Sequence, residues 1–310
     1  MDLRRKVTIL DQNKNPISFT LEKELGSGAF GIVFLIHIKG KKYALKIVNK
    51  KRFKNPDAIK REVNIIQKII QSYPQCKKEN HLLCYKYIYE DERNIYFISD
   101  LMDGELFDYI QSKSFLRLDN CEKVNVIWKI TTEIIKGLES LHRIGIVHRD
   151  IKMENILFKK SKEGIQFAIA DFGLGCMIDE CSWGSGTYPY LPPQSIFDKK
   201  SQTFRDDYYG LGVVLFMMLT DLEFTSFSIK QLKKDFKQGT INYNDIIDIY
   251  QDNYQKITNI LDQLKATPIP SCSLVVQKKK DRLIELSKYL VNPNPKYTIT
   301  MQNIKKIIDQ

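Results

Sequence analysis

Eight consecutive residues, His148 to Asn155 (HRDIKMEN), follow the apolar run Ile144–Val147 and bring together His148, Arg149, Asp150, Lys152, Glu154 and Asn155. Groups of this kind are costly to bury unless each has a partner, so the octet is either a solvated turn or a set gathered around one charged ligand. Three other stretches bear on the choice. Leu25–Val33 (LGSGAFGIV) places Gly26, Gly28 and Gly31 between two strand-like segments, where glycines let a hairpin backbone approach phosphates with no Cβ in the way. A strand, not a helix, follows the third glycine, which disfavours a dinucleotide-binding reading. In Tyr43-Ala44-Leu45-Lys46, Ala44 and Lys46 share one face of a strand. Glu62, on the helix that follows, can pair with Lys46 and hold it toward phosphate oxygens. Asp171-Phe172-Gly173 follows the strand-like Ile165–Ala170, and a carboxylate in that place can turn inward to hold a hard cation such as Mg²⁺.

The elements that must position these groups are legible as patterns. Residues 18–24, 30–38 and 41–48 read as strands separated by glycines, and 82–89 and 94–100 as two more. Asn55-Pro56-Asp57 is a helix start, with Ile59, Val63, Ile66 and Ile70 at helical spacing after it. A long amphipathic helix through Val124, Ile127, Ile130, Ile134, Leu138 and Leu141 delivers the chain to the octet. Tyr208–Leu219 reads as a helix buried on every side. Residues 228–265 and 281–310 read as helical, and 266–280 as loop. A small β lobe ahead of a larger helical lobe implies a ligand cleft between them.

In order and spacing, the glycine loop, Ala-x-Lys, helical Glu, HRD-x-K-x-x-N and DFG resemble the eukaryotic-type protein kinases, serine/threonine branch, over about residues 20–300. The resemblance implies an α+β, bilobal fold: an N-terminal extension (1–17), a five-stranded lobe with one main helix (18–101) and a mainly helical lobe (102–310). It implies ATP and Mg²⁺ as cofactors and protein serines or threonines as acceptors. Asp150 would accept or orient the acceptor proton, and Lys152 would neutralise the γ-phosphate. Asn155 and Asp171 would hold Mg²⁺, and Lys46, positioned by Glu62, would grip the α and β phosphates. Nucleotide contacts would come from Leu25, Gly26, Ser27, Gly28, Ala29, Phe30, Gly31, Ile32 and Val33, then Ala44, Asp100 and Leu157. His148 would pack under Phe172 in a stack reaching Ile66 and anchored by Asp207. Ser99, aligned with the back of the adenine pocket, would leave room there.

Lys152 and the Gly186-Thr187 pair, whose threonine bridges the catalytic aspartate and lysine, point to Ser/Thr specificity. Glu105 and Glu154 match positions that grip an arginine upstream of the acceptor, so basic substrates are expected. Two readings of regulation stay open: a phosphate on Ser182 or Ser185, beside Trp183, docking on Arg149, or constitutive activity. Pro192-Pro193-Gln194 and Lys296 stand where the family carries a glutamate and its arginine partner. That departure motivates the alternative, a catalytically silent scaffold.

Composition limits the other classes. At 43% hydrophobic and 27% charged residues the 310-residue chain is of globular type. Its longest apolar stretch, Leu211–Leu219, is far short of the roughly 20 residues a membrane helix needs. No opening segment resembles a secretory signal, so an intracellular, cytoplasmic protein is expected, with the nucleus left open. Six cysteines without C-x-x-C spacing are then expected to be free thiols. The net charge of +11 comes from scattered lysines, Lys278–Lys280 among them. That spread reads as a solubilising surface, with no specific nucleic-acid site and a secondary attraction to acidic partners.

Overall fold

Strand alternation and two glycine turns build the first half of the small lobe. The computed structural model describes residues 6–10, 16–28, 31–52 and 56–309. Strands β1 (Lys6–Leu10), β2 (Pro16–Gly28), β3 (Gly31–Ile38) and β4 (Lys41–Asn49) precede helix α1 (Pro56–Ser72) and strands β5 (Tyr85–Glu90) and β6 (Asn94–Asp100). They form one antiparallel sheet in the order β1-β2-β3-β4-β6-β5. The five expected strands are present, and β1, from the expected extension, joins them as a sixth. Its Ile9 completes an apolar cluster with Phe19, Leu21, Phe34, Ile36, Leu45 and Ile98 on one side of the sheet. Ile59, Ile65, Ile66 and Ile69 of α1 pack on the other side. Asn55, expected to cap α1, lies outside the described residues.

The large lobe holds β7 (Gly104–Glu105), α2 (Leu106–Ile110), α3 (Lys113–Leu116), α4 (Asn120–Arg143), β8 (Ile146–Val147), β9 (Ile156–Ser161), β10 (Gly164–Ile169) and β11 (Cys176–Met177). Helices α5 (Pro193–Phe197), α6 (Phe204–Thr220), α7 (Ile229–Gln238), α8 (Tyr243–Ala266), α9 (Leu274–Leu290) and α10 (Met301–Asp309) follow. Asp119 and Glu122 close a capping box on α4. All six of its periodic apolar residues are buried. Thr203 and Asp206 do the same for α6, whose Tyr208–Phe216 are all buried while Met217–Leu219 are only half-buried, so the helix is enclosed on every side over its first part alone. The octet His148–Asn155 thus sits between two helices fixed at both their caps and their faces.

Three expectations are corrected. Residues 266–280 are not all loop: Ser273 accepts from the Val276 amide and starts α9 at Leu274. Lys280 is therefore helical and 2% exposed, and its Nζ donates to the carbonyls of Leu264 (3.0 Å) and Thr267 (2.6 Å) at the end of α8. Lys296 is exposed and is not the partner of Gln194. That place belongs to Arg205 of α6: with its amide oxygen facing the guanidinium, Gln194 accepts from Nε at 3.2 Å and Nη1 at 2.8 Å. Arg205 also donates to the carbonyls of Asn292, Asn294 and Pro295, so a guanidinium still ties these two segments together.

The cysteines are the third correction. They are not free thiols but form Cys76–Cys84, Cys121–Cys272 and Cys176–Cys181. Sequence separations of 8, 151 and 5 residues carry no motif, yet folding brings the Cα atoms to 5.4, 5.5 and 5.3 Å, within bonding reach.

Candidate active site

The sheet register arranges the roof of the cleft. Val33 pairs with Lys46 across β3 and β4, and Ala44 pairs with Ser99 across β4 and β6. Leu157, after the octet, forms part of the floor. Between them lies a cavity of about 400 Å³, lined also by Leu25, Gly26, Ser27, Gly31, Asp100, Asn155 and Asp171. Gly31 is required because a Cβ there would run into the Ile47 carbonyl. Gly28 faces Gly31 across the hairpin. Ile32 packs with the outer apolar cluster and does not line the cavity. Ala29 and Phe30 lie outside the described residues. Leu83, Tyr85, Phe97, Leu101 and Met102 also line the cavity, and no motif marked them in the sequence.

Lys46 enters from the roof and lies between two carboxylates, Glu62 Oε1 at 2.8 Å and Asp171 Oδ1 at 3.1 Å. Burial disfavours its charge, but Glu62 and Asp171 outweigh that and hold the ammonium well above the usual lysine range. Asp171 answers in kind. Burial pushes its carboxyl up, but Lys46, His148 and the Gly173 amide pull it below the usual range. Asp171 holds a left-handed φ of 58°, a costly conformation for a non-glycine that the surrounding contacts must maintain.

The floor is a closed network around Asp150. Its Oδ1 accepts from the Thr187 amide (2.9 Å) and hydroxyl (2.8 Å). Its Oδ2 accepts from Asn155 Nδ2 at 2.9 Å and pairs with Lys152 Nζ at 3.1 Å. Lys152 also donates to the Thr187 hydroxyl at 3.1 Å. Thr187 reaches this position because Gly186, at φ 118°, passes against the Arg149 carbonyl where a Cβ would collide.

Asp207, at the start of α6, holds the loop from below. It accepts from the amides of His148 (2.9 Å) and Arg149 (2.7 Å) and pairs with His142 Nε2 at 2.8 Å. The His148 ring stacks edge-on against Phe172 with centroids 5.4 Å apart. Its Nε2 donates to the Ala170 carbonyl at 2.9 Å, leaving Nδ1 to accept from the Asp150 amide. His148 is thus wholly buried and its ring fully engaged, in the packing role expected of it.

Arg149 is engaged by the following segment. It donates to the carbonyls of Leu174 (2.5 Å), Ser182 (3.3 Å) and Gly175 (3.5 Å). Burial and the nearby Arg61 charge lower its pKa to about 10, with Asp207 and Asp206 opposing. Ser185 exchanges backbone hydrogen bonds with the Gln202 amide at 3.1 and 2.8 Å. Glu105 and Glu154 adjoin the cavity. Burial, then Asp108 and Glu154, push the Glu105 carboxyl up, with Lys152 opposing.

A two-lobed molecule with a buried lysine–carboxylate pair above and an aspartate–lysine–threonine network below defines a phosphoryl-transfer class of site. The protein kinase domain family matches residues 19–307, and the chain belongs to that family. It is 32% identical over 214 residues to the calcium/calmodulin-dependent protein kinase cmkB of Emericella nidulans, covering 66% of this chain and 50% of that protein. It is 31% identical over 225 residues to calcium/calmodulin-dependent protein kinase type I of Schizosaccharomyces pombe, 69% of this chain and 63% of the relative. A probable myosin light chain kinase of Dictyostelium discoideum is 30% identical over 273 residues, 84% of this chain and 79% of the relative. The chain thus spans about half the length of cmkB.

Proposed function

We propose that this protein is an ATP- and Mg²⁺-dependent serine/threonine protein kinase. One observation carries the reading: two lysines are each held on a carboxylate, Lys46 in the roof of the cavity and Lys152 in the network around Asp150, whose partner Asn155 lines the same cavity. Such a pair suits a chain of phosphates, since phosphoryl transfer needs aligned oxygens and opposed charge more than covalent help. We assign Asp150 to accept or orient the acceptor proton. Its two oxygens are fixed by Thr187 and Asn155, so its approach to a hydroxyl is set before substrate arrives. Lys152 then neutralises γ-phosphate oxygens and Lys46 holds the α and β phosphates.

The donor set fits Mg²⁺. Asn155 spends its amide nitrogen on Asp150, leaving its amide oxygen without a hydrogen bond among the described residues. Together with the Asp171 carboxylate it offers two hard oxygens, the few protein ligands that Mg²⁺ takes beside phosphates and water. When bound, that ion offsets charge between the β and γ phosphates.

We further propose a preference for basic residues upstream of the acceptor, read by Glu105 and Glu154. The lobes divide at 101/102, and the site is completed only when both are present. Among the described residues no helix is long and apolar enough to cross a membrane; the need for ATP favours an intracellular, cytoplasmic or nuclear, location, against which the three disulfides weigh, since such bonds are rare in reducing compartments. The alternative is a catalytically silent scaffold, motivated by Gln194 and Lys296; Arg205, and not Lys296, supplies a guanidinium to Gln194.

The test is transfer of labelled γ-phosphate to a serine peptide with upstream arginines. Incorporation by the wild type that Asp171→Asn abolishes supports the reading. Tight Mg-ATP binding with no incorporation by the wild type supports the scaffold.

A further inference from the structure

Helix α7 carries Lys230, Lys233, Lys234 and Lys237, whose spacing places them on one face. The other side, Ile229, Leu232 and Phe236, packs against Leu191, Phe197 and Tyr250. Lys230, Lys234 and Lys237 are exposed and make no ion pair or hydrogen bond among the described residues. Three carboxylates of neighbouring elements and of α7 itself have other hydrogen-bond or ion-pair partners. Asp235 accepts from Gln231 at 2.7 Å, Asp198 pairs with Lys200 at 2.6 Å, and Asp245 caps α8 through the Asn242 amide. Like charges three and four residues apart destabilise a helix slightly, and an anionic partner would relieve that.

Lys233 links this row to the reaction centre. Its Nζ donates to the Tyr188 hydroxyl at 2.6 Å and lies 4.2 Å from the centre of that ring. Tyr188 directly follows Thr187, whose hydroxyl bonds both Asp150 and Lys152. A substrate whose hydroxyl reaches Asp150 thus lies beside Thr187 and Tyr188, and α7 adjoins them through Lys233. We propose that the α7 lysines are a specificity surface that reads aspartate or glutamate side chains on the side of the acceptor beyond Tyr188. The inference rests on the kinase reading of the same site and adds the second half of its substrate preference. Charge complementarity selects the occupant: Lys230, Lys234 and Lys237 are exposed on one face and in no ion pair among the described residues.

Peptides sharing an upstream arginine and a serine acceptor, followed by acidic residues, alanines or lysines, test this directly. The downstream-acidic peptide should exceed the alanine peptide in kcat/KM by about tenfold, the sum of several exposed pairs. The ratio should shrink in high salt. In Lys230→Glu/Lys234→Glu/Lys237→Glu the order should invert, so that downstream lysines are preferred. The ratio of two rates does not depend on how much variant folds. Fluorescence anisotropy of the labelled acidic peptide, which needs no catalysis, should show about tenfold weaker binding to the same variant. An unchanged downstream order, or unchanged binding, would overturn the proposal. Phosphorylation of the alanine peptide reports the kinase reading on its own, and the effect of removing the upstream arginine reports on Glu105 and Glu154.

Discussion

Two polar centres in this protein are built to opposite ends. In the cleft, Lys46, Glu62 and Asp171 are paired but open on one side, with the Asp171 side chain 39% exposed. At the start of α6, Asp206 is sealed. It accepts from the Ser195 hydroxyl, Gln202 Nε2 at 3.2 Å and the Thr203 amide at 2.9 Å, and is 5% exposed. Arg205, beside it, is bonded to Gln194 and three carbonyls. The first centre holds charge that a ligand can reach, while the second spends every polar atom on holding helices and loops together. Substitutions in the two should therefore separate activity from stability.

The largest effect expected is in the helical lobe. Cys121–Cys272 closes a loop of 151 residues and Cys176–Cys181 one of 5. In the oxidised protein, Cys121→Ser should lower the unfolding free energy by about 5 kcal/mol and Cys176→Ser by about 2 kcal/mol on loop-closure grounds. Denaturant melts with and without reductant check both values, and equal losses would break the distinction. Next comes the cleft. Lys46→Arg keeps the positive charge beside Glu62, so the unfolding temperature should hold within about 2 °C. The phosphates would nevertheless be misplaced, and kcat/KM should fall about 100-fold or more.

Arg205→Met inverts that outcome. It leaves Gln194 and several carbonyls without their donor, for about 2–4 kcal/mol of stability. The kcat per folded molecule should stay within about twofold. The smallest effect is on pH dependence. Asp171 is held below the usual carboxyl range, so it contributes stability above its unfolded pKa that is lost as pH falls through its folded value. Burial pushes Asp206 above the usual range, so its contribution runs the other way and stability recovers as it protonates. Asp206→Asn removes that recovery and should steepen the loss on acidification, measured by urea unfolding at a series of pH values.

The same contrast explains what the amino-acid sequence made legible. Cleft residues have their types and spacing dictated by chemistry, so Lys46, Asp150, Asn155 and Asp171 stand out although they converge from strands and loops far apart in the chain. The helices are marked by their apolar period, as in α4. Arg205 was hidden because Gln194 needs any nearby guanidinium, and tertiary packing chose one from α6. Cys121 and Cys272 meet only because α4 and the start of α9 are neighbours. Lys280 reads as surface charge until α8 ends above it and presents two carbonyls. The α7 lysines looked like solubilising charge for a related reason: only the fold brings Lys233 to Tyr188, one residue from the reaction centre.

The proposal that the cleft serves phosphoryl transfer rests on Asp150. Its most direct test is Asp150→Asn, with kcat on a serine peptide, Mg-ATP affinity and unfolding temperature measured on one preparation. The account predicts a loss in kcat of about 10³-fold to 10⁴-fold, with Mg-ATP affinity and unfolding temperature nearly unchanged. A variant that binds Mg-ATP, stays folded and still phosphorylates the peptide at the wild-type rate would contradict it.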